Sequence, residues 1–208
     1  MGFYEERIFP WMCDKMMDAP PMARLTRAAL ADVAGDVLEI GFGSGRSLAF
    51  YTGDITRLTA LEPSEGMTAR ARARIAEAPF PVELVPGAGE RLPFDDERFD
   101  AVVLVFTLCS VSDPAQVIKE AKRVLKTDGR LHFVEHVASR HPRHRRWQER
   151  LNPLQRAFAC GCNLNRDPLA IAQDAGLHVE LGTHDIQPDF PMFPTLFPVS
   201  RCVAVKRA

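Results

Sequence analysis

Three glycines at alternate positions, Gly41, Gly43 and Gly45, sit in the segment LEIGFGSGR (38–46). Glycines at the turn out of a buried strand tolerate positive φ and let a ligand lie against bare backbone. The segment reads as strand, loop and then helix, the context in which such a pattern cradles a nucleotide-like group. The sixth position of the dinucleotide fingerprint is Arg46 rather than glycine, which counts against hydride transfer. Glu39 stands two residues before the first glycine. A carboxylate there repels a pyrophosphate and suits a ligand carrying an ammonium and a sulfonium. Glu62 ends the next strand, at about the 20-residue offset where an acid accepts hydrogen bonds from both ribose hydroxyls. Its other reading is an acid at a helix N-terminus, before Pro63 and Ser64. Its pairing with the glycine loop favours the ribose.

A second group of residues falls where strands four and five end, the edge at which open α/β sheets bind ligands. These are Thr107, Cys109 and Ser110 after the fourth strand, and Glu135 and His136 after the fifth. His136 is the one obvious base that titrates near neutrality; it reads either as catalytic or as a loop-closing hydrogen bond to backbone. Cys109 reads as a small apolar wall. Further along, CGCNLNRD (160–167) holds the only close cysteine pair, Cys160 and Cys162. A zinc site needs further ligands at recognisable spacing, and none stands out, so no metal is expected. Asn165 or Asp167 can cap the following helix, with Pro168 in its first turn. Asn163 and the two cysteines are left for a pocket edge. SRHPRHRRW (139–147) reads as a solvated helix start, with attraction to a phosphate head group or anionic membrane surface as the alternative. PDFPMFPTLFP (188–198) is too rich in proline for a strand interior. A lid over the pocket, a dimer contact and packing for the N-terminal helices are its three open uses.

These residues need a frame that brings them together. DVLEIG (36–41), TRLTALE (56–62), PVELVP (81–86), the doubly apolar FDAVVLVFTL (99–108) and RLHFVEHV (130–137) read as five strands. Helices fall between them, one over 64–78 with Met67, Ala71, Ile75 and Ala78 on one stripe, another from Pro114 to about Lys126 capped by Asp113. Thr127-Asp128-Gly129 then turns into the fifth strand. Two helices precede the first strand, FYEERIFPWMCDKMMD and PMARLTRAALADVAG. LHVELGTHDI and RCVAVKR close the chain as an antiparallel pair at a sheet edge. The pattern predicts a doubly wound α/β sheet with right-handed crossovers. With 208 residues, 46% hydrophobic and 25% charged, one globular domain is expected. It divides into N-terminal helices 1–34, a core 35–137 and a closing region 138–208 of helices and the antiparallel strand pair. A formal net charge of −1 gives no reason to expect nucleic acid as a partner. No apolar run is long enough for a membrane span. Acids stand where a signal peptide carries bases, so a cytoplasmic protein is expected, with its five cysteines reduced.

LEIGFGSG, ALEPSEGM, AGERLPFDDERFDAVV and VLKTDGRL together resemble the class I S-adenosylmethionine-dependent methyltransferases of the type 11 group. The resemblance implies a Rossmann-like seven-stranded sheet whose last strand is antiparallel, and S-adenosylmethionine as cofactor. It implies that Glu39 and the 41–45 loop hold the methionine part and Glu62 the ribose, with Pro63, Ala88, Gly89, Glu90 and Phe106 completing the cofactor side. Many relatives carry an aspartate where this chain has Ala88, so backbone and apolar neighbours such as Leu92 would hold the adenine. FTLCSV (106–111), FVEHV (133–137) and GCNLNRD (161–167) are similar to thiol methyltransferases of animals and their bacterial relatives, which implies a small lipophilic thiol as acceptor. Thr107, Cys109, Ser110 and Asn163 would face it. N-methylation of an amine or phospholipid head group, C-methylation of a quinone precursor, and cofactor binding without turnover are the competing readings. The animal members begin with a hydrophobic anchor, whereas this chain begins with an amphipathic segment. Peripheral membrane contact therefore stays open, as does the oligomeric state.

Overall fold

The computed structural model describes residues 4–186 and 197–208. The strands are β1 Gly35–Ile40, β2 Ile55–Leu61, β3 Val82–Val85, β4 Phe99–Val105, β5 Leu125–His136, β6 His178–Ile186 and β7 Val199–Val205. They form one sheet in the order β3-β2-β1-β4-β5-β7-β6. The first five pair in parallel, and β7 runs antiparallel between β5 and the edge strand β6. The expected seven-stranded α/β sheet with an antiparallel last strand is therefore the observed one. The helices are α1 Phe9–Met17, entered through a wide turn at Tyr4–Ile8, α2 Pro20–Leu30, α3 Glu65–Ala76, α4 Pro114–Val124, α5 Pro142–Phe158 and α6 Pro168–Asp174. None is long and apolar enough to cross a membrane.

Local chemistry places the helix starts. Ser64, Asp113 and Asp167 each accept a backbone N–H three residues on, and prolines occupy the first turn of α4 and α6. Asp167 is therefore the cap that the sequence left open between two candidates. Strand alternation sends Leu38 and Ile40 to one face of the sheet, where α4 and α6 cover them. It sends Val37 and Glu39 to the other, under α2 and α3, with Leu30, Val33 and Ala71 in that core.

Two local readings are corrected. The glycine loop leads into a single 3-10 turn, Arg46–Phe50, and not an α-helix, because β2 already begins at Ile55 and leaves no length for one. The 127–129 turn lies inside β5 and not ahead of it. Phe99 pairs with Leu125 and Ala101 with Arg130, so residues 126–129 bulge out, with Asp128 at φ 61°. Within the Pro/Phe-rich stretch 188–198, only Phe197 and Pro198 lie among the described residues.

Candidate active site

The carboxyl ends of β1, β2, β4 and β5 open into a cavity of about 850 Å³, astride the β1/β4 point where strand order reverses. Its floor is the glycine loop. Gly41 has φ 74° and its missing Cβ would run into the Thr107 side chain, so only glycine lets β4 and the loop close up. Gly43, at φ 59°, faces open space, leaving its backbone bare to the cavity. Gly45 does not line the cavity; its Cα backs onto the Phe42 ring and helps turn the chain.

Two buried carboxylates flank this floor. Glu39 is 1% exposed and accepts from Ser47 Oγ (2.9 Å) and Tyr51 OH (2.8 Å). Burial pushes its pKa up to about 7 against these two donors, and the neighbouring Glu62 adds to the rise. It makes no ion pair among the described residues. Glu62 brackets the loop: Oε2 accepts from Gly43 N (2.8 Å) and Oε1 from Ser64 N (2.9 Å). Burial raises its pKa as well, opposed by those two amides. Pro63, Ala88, Gly89 and Glu90 line the same end. The Glu90 carboxylate is committed to Ser112 Oγ (2.7 Å) and to the amides that open α4. Leu92 is 4% exposed within the core and does not reach the cavity, so it holds no ligand there.

The other end is built by β4, β5 and the segment before α6. Phe106 follows β4 at φ 53°, a conformation costly for a large side chain. Its neighbours fix it in place: Phe106 N donates to Val134 O (2.8 Å), and the next three amides converge on Glu135. Thr107 N (2.6 Å) and Leu108 N (2.7 Å) donate to Oε1 and Cys109 N (3.3 Å) to Oε2. Glu135, fully buried, thus braces the loop and does not face an acceptor. His136 does line the cavity, its ring 4.9 Å from that of Phe106 and its Nδ1 3.6 Å from Cys162 Sγ. Burial lowers the His136 pKa, but Cys162 and Glu135 outweigh it and the net shift is upward. The Cys162 thiol is drawn below its ordinary value, first by the Cys109 hydrogen bond and then by His136, while Cys109 moves above its own.

Thr107, Cys109 and Ser110 line the cavity as expected from sequence. Asn163 does not. Its amide donates to Cys109 O (3.0 Å) and Gly161 O (2.8 Å) and accepts from Asn152 (3.1 Å), so it is the tie that holds the 160–167 segment against β4. Its backbone amide also donates to Cys109 O (2.7 Å). Arg166 reaches Leu108 O and Val111 O (2.8 Å) from the same side.

Sequence reasoning missed the roof. Phe9, Met12, Cys13 and Met17 of α1 line the cavity, so four of the five cysteines converge on it. Asp14 holds α1 down: it is 6% exposed, bonded to Ser44 of the glycine loop, and paired with Arg70 (3.1 Å), Arg74 (3.4 Å) and Arg46 (3.4 Å). Burial would raise its pKa, but Ser44, Arg74 and Arg46 hold it below the ordinary value. Asp14 stands 56 residues before Arg70, so it carries no signal until the fold brings α3 beside α1. Asp14→Asn leaves three guanidiniums facing a neutral group. Amide hydrogen exchange across residues 9–17 is expected to quicken by about tenfold or more, with the sheet amides unchanged. Unchanged exchange in α1 would show that the helix is held by packing alone.

A family model described as a methyltransferase domain matches residues 38–133. The chain is 35% identical over 133 residues to phosphatidylethanolamine N-methyltransferase of Cereibacter sphaeroides, covering 63% of this chain and 64% of that one. It is 39% identical over 111 residues to demethylmenaquinone methyltransferase of Clavibacter sepedonicus (53% and 45%). Thiol S-methyltransferase TMT1A of Homo sapiens is 33% identical over 136 residues (63% and 55%). The chain thus spans between about half and just under two thirds of these relatives' lengths. Among solved structures, a chain of the complex between the Haloferax volcanii Trm112 methyltransferase activator and a methyltransferase matches with TM-score 0.73 at 22% identity, covering 98% of this chain and 99% of that one. The [4+2]-cyclase SpnF matches with TM-score 0.72 at 19% identity (90% and 81%). The motif resemblance to S-adenosylmethionine-dependent methyltransferases is thus met by both sequence and fold. The cyclase is a reminder that this fold alone does not fix the reaction.

Proposed function

We propose, on the premise that residues 38–133 match the methyltransferase-domain family and sit in its fold, that this chain moves a methyl group from S-adenosylmethionine to a small lipophilic thiol. The observation that carries the reading is the contrast between the two ends of the cavity. One end offers two buried carboxylates and a bare glycine backbone. Glu39 there lacks a cationic partner among the described residues, and a ligand ammonium would supply it. The other end offers sulfur and aromatic rings: Cys109, Cys160, Cys162, Phe106, Phe158 and Phe197. Among the described residues the one arginine lining the cavity, Arg46, is tied to Asp14 and Asp18, so a phosphate head group would find no free guanidinium there. That disfavours phospholipid and supports an apolar thiol.

When bound, S-adenosylmethionine supplies a methyl group on an electrophilic sulfonium. In this reading Glu39 and the amides of the 41–45 loop hold the amino-acid end, and Glu62 receives the ribose hydroxyls. Pro63, Ala88, Gly89 and Glu90 flank the base. The strained Phe106 sets its ring beside His136 at the junction, where the two reactants must lie in line and dry. His136 is placed to take the acceptor's proton. A thiol ionises readily enough to need little of that help, whereas an amine or alcohol depends on it. In this reading α1 roofs the cavity, the 35–137 core holds the cofactor and the described residues beyond it complete the acceptor side, all as one domain.

The test is incubation with S-adenosylmethionine and a panel of lipophilic thiols, amines including phosphatidylethanolamine, and phenols, followed by mass spectrometry. Methyl thioethers are expected. Products from amines or phenols alone would replace the thiol reading. Tight cofactor binding with no product would make the chain an S-adenosylmethionine-binding interaction protein.

Glu39 also predicts a pH profile for cofactor binding. Its folded pKa is raised to about 7, so the neutral acid is favoured in the free protein below that pH. That contribution to stability is present below the unfolded pKa and is lost as pH rises through about 7. A bound cation favours the carboxylate, so binding releases a proton below pH 7. Affinity should be flat above about pH 7 and fall by up to tenfold per unit below it. Calorimetry in two buffers of different ionisation enthalpy measures the released proton, and Glu39→Gln should abolish it.

A further inference from the structure

Cys109, His136 and Cys162 come from three separate parts of the chain, yet their ligand atoms all lie within 4.8 Å of one another. All three residues are buried and all three line the cavity. Cysteine sulfur and imidazole nitrogen are the donors that soft and borderline metals select. A tetrahedral zinc with bonds of about 2.3 Å to sulfur and about 2.0–2.1 Å to nitrogen separates such a pair of donors by about 3.6 Å. Cys162 Sγ and His136 Nδ1 are 3.6 Å apart. The Cys109 thiol rests 3.4 Å from Phe106 O, a weak contact that a metal can replace.

The backbone that carries these donors is fixed. Glu135 takes the Cys109 amide, and Asn163, next to Cys162, bonds to the Cys109 carbonyl through both its main chain (2.7 Å) and its side chain (3.0 Å). Cys162 N donates to Ala159 O (3.0 Å). Such bracing is what a ligand set needs in order to pay no ordering cost on loading. Structural zinc sites close their fourth position with protein, whereas sites that act on a substrate leave it open. Here the cluster holds three donors and borders the cavity.

We propose that Cys109, His136 and Cys162 form a three-ligand zinc site whose fourth position, open to the cavity, is taken by the sulfur of the methyl acceptor. The second half rests on the thiol reading above. Loading the site sends the two cysteine protons to solvent, with zinc on Nδ1 of His136 and the ring proton on Nε2. The acceptor thiol loses its proton to solvent on coordination. Its sulfur lone pair forms the new S–CH3 bond as the sulfonium C–S bond breaks, yielding a methyl thioether and neutral S-adenosylhomocysteine. A coordinated thiol is deprotonated outright, so in the loaded site His136 serves as a ligand in place of the base role given above.

The full chain, purified reduced and without chelator, should carry about one zinc per molecule by plasma mass spectrometry. Cys162→Ser, Cys109→Ser and His136→Gln should each lower occupancy at least roughly tenfold, while Cys202→Ala, in the core strand β7, keeps it. Cobalt-substituted wild-type protein should show thiolate-to-cobalt charge transfer and the intense visible bands of tetrahedral cobalt, and hexanethiol should strengthen the charge-transfer band. These spectra use unmutated protein and do not depend on any variant folding. Failure of the chain to take up zinc or cobalt, or full occupancy in Cys162→Ser, would overturn the site. Metal bound with no spectral response to hexanethiol would overturn the fourth-position role. Thiol methylation undiminished in metal-free protein removes the metal from the reaction while leaving the thiol reading standing. Zinc bound with methylation confined to amines does the reverse.

Discussion

Glu62→Ala is expected to weaken S-adenosylmethionine binding by about 100-fold or more. Each Glu62 oxygen already accepts one backbone amide, Gly43 N at 2.8 Å and Ser64 N at 2.9 Å, and each has a second lone pair for a ribose hydroxyl. Hydrogen bonds to an ionised group contribute roughly 1.5–3 kcal/mol each. Two at the low end give about 3 kcal/mol, about a hundredfold in dissociation constant. The alanine also frees Gly43, so the glycine loop loses its inner bracket and the loss should exceed that floor. Glu62→Gln keeps the shape and one good acceptor and should cost about tenfold. S-adenosylhomocysteine, which shares the ribose, should weaken in parallel by calorimetry. Unaltered affinity for both ligands would reduce Glu62 to a bracket for two amides.

The cofactor end of the site could be read in one dimension because it is nearly contiguous. Glu39 and Gly41 to Gly45 lie on one strand and its turn, and Glu62 ends the adjacent strand at a fixed offset. Strand periodicity alone puts them at one edge of the sheet. The acceptor end could not be read that way. Cys109, His136 and Cys162 follow β4, end β5 and precede α6, and no local spacing joins them, which is why the sequence suggested no metal donors. Asn163 was expected at the pocket edge because the helix start accounted for the residues after it and left it over with the two cysteines. Its amide instead meets the Cys109 carbonyl, a partner 54 residues away. Asp14 was silent for the same reason, since its three arginines come from the glycine loop and α3. The strands were legible from their apolar runs, whereas the β5 bulge and the 3-10 turn depended on the register and length of neighbouring strands. CGCNLNRD, an odd stretch by itself, divides by partner: Cys162 to the cluster, Asn163 and Arg166 to the β4 loop, and Asp167 to the cap of α6.

Glu135→Ala is expected to destabilise the protein by at least about 3 kcal/mol, a large share of the roughly 5–15 kcal/mol that holds a domain folded. Its carboxylate takes three consecutive amides, Thr107 N and Leu108 N on Oε1 at 2.6 and 2.7 Å and Cys109 N on Oε2 at 3.3 Å. The residue is fully buried, so alanine leaves all three donors in a place water does not readily reach, at about 1–3 kcal/mol apiece. The positive φ of Phe106 loses its support at the same time, and the loop should relax toward an unstrained turn. Glu135→Gln separates these effects. With its oxygen at the Oε1 position it keeps the two short bonds and sets an NH2 against Cys109 N, so its cost should be about 1–3 kcal/mol, the penalty for that one amide and below the sum for three. Urea unfolding of the two variants measures the difference. If alanine and glutamine cost the same, the amides are satisfied by other means and the brace is not what shapes the acceptor end. If only alanine is severe, the geometry that gathers Cys109, His136 and Cys162 is set by a residue that touches no substrate.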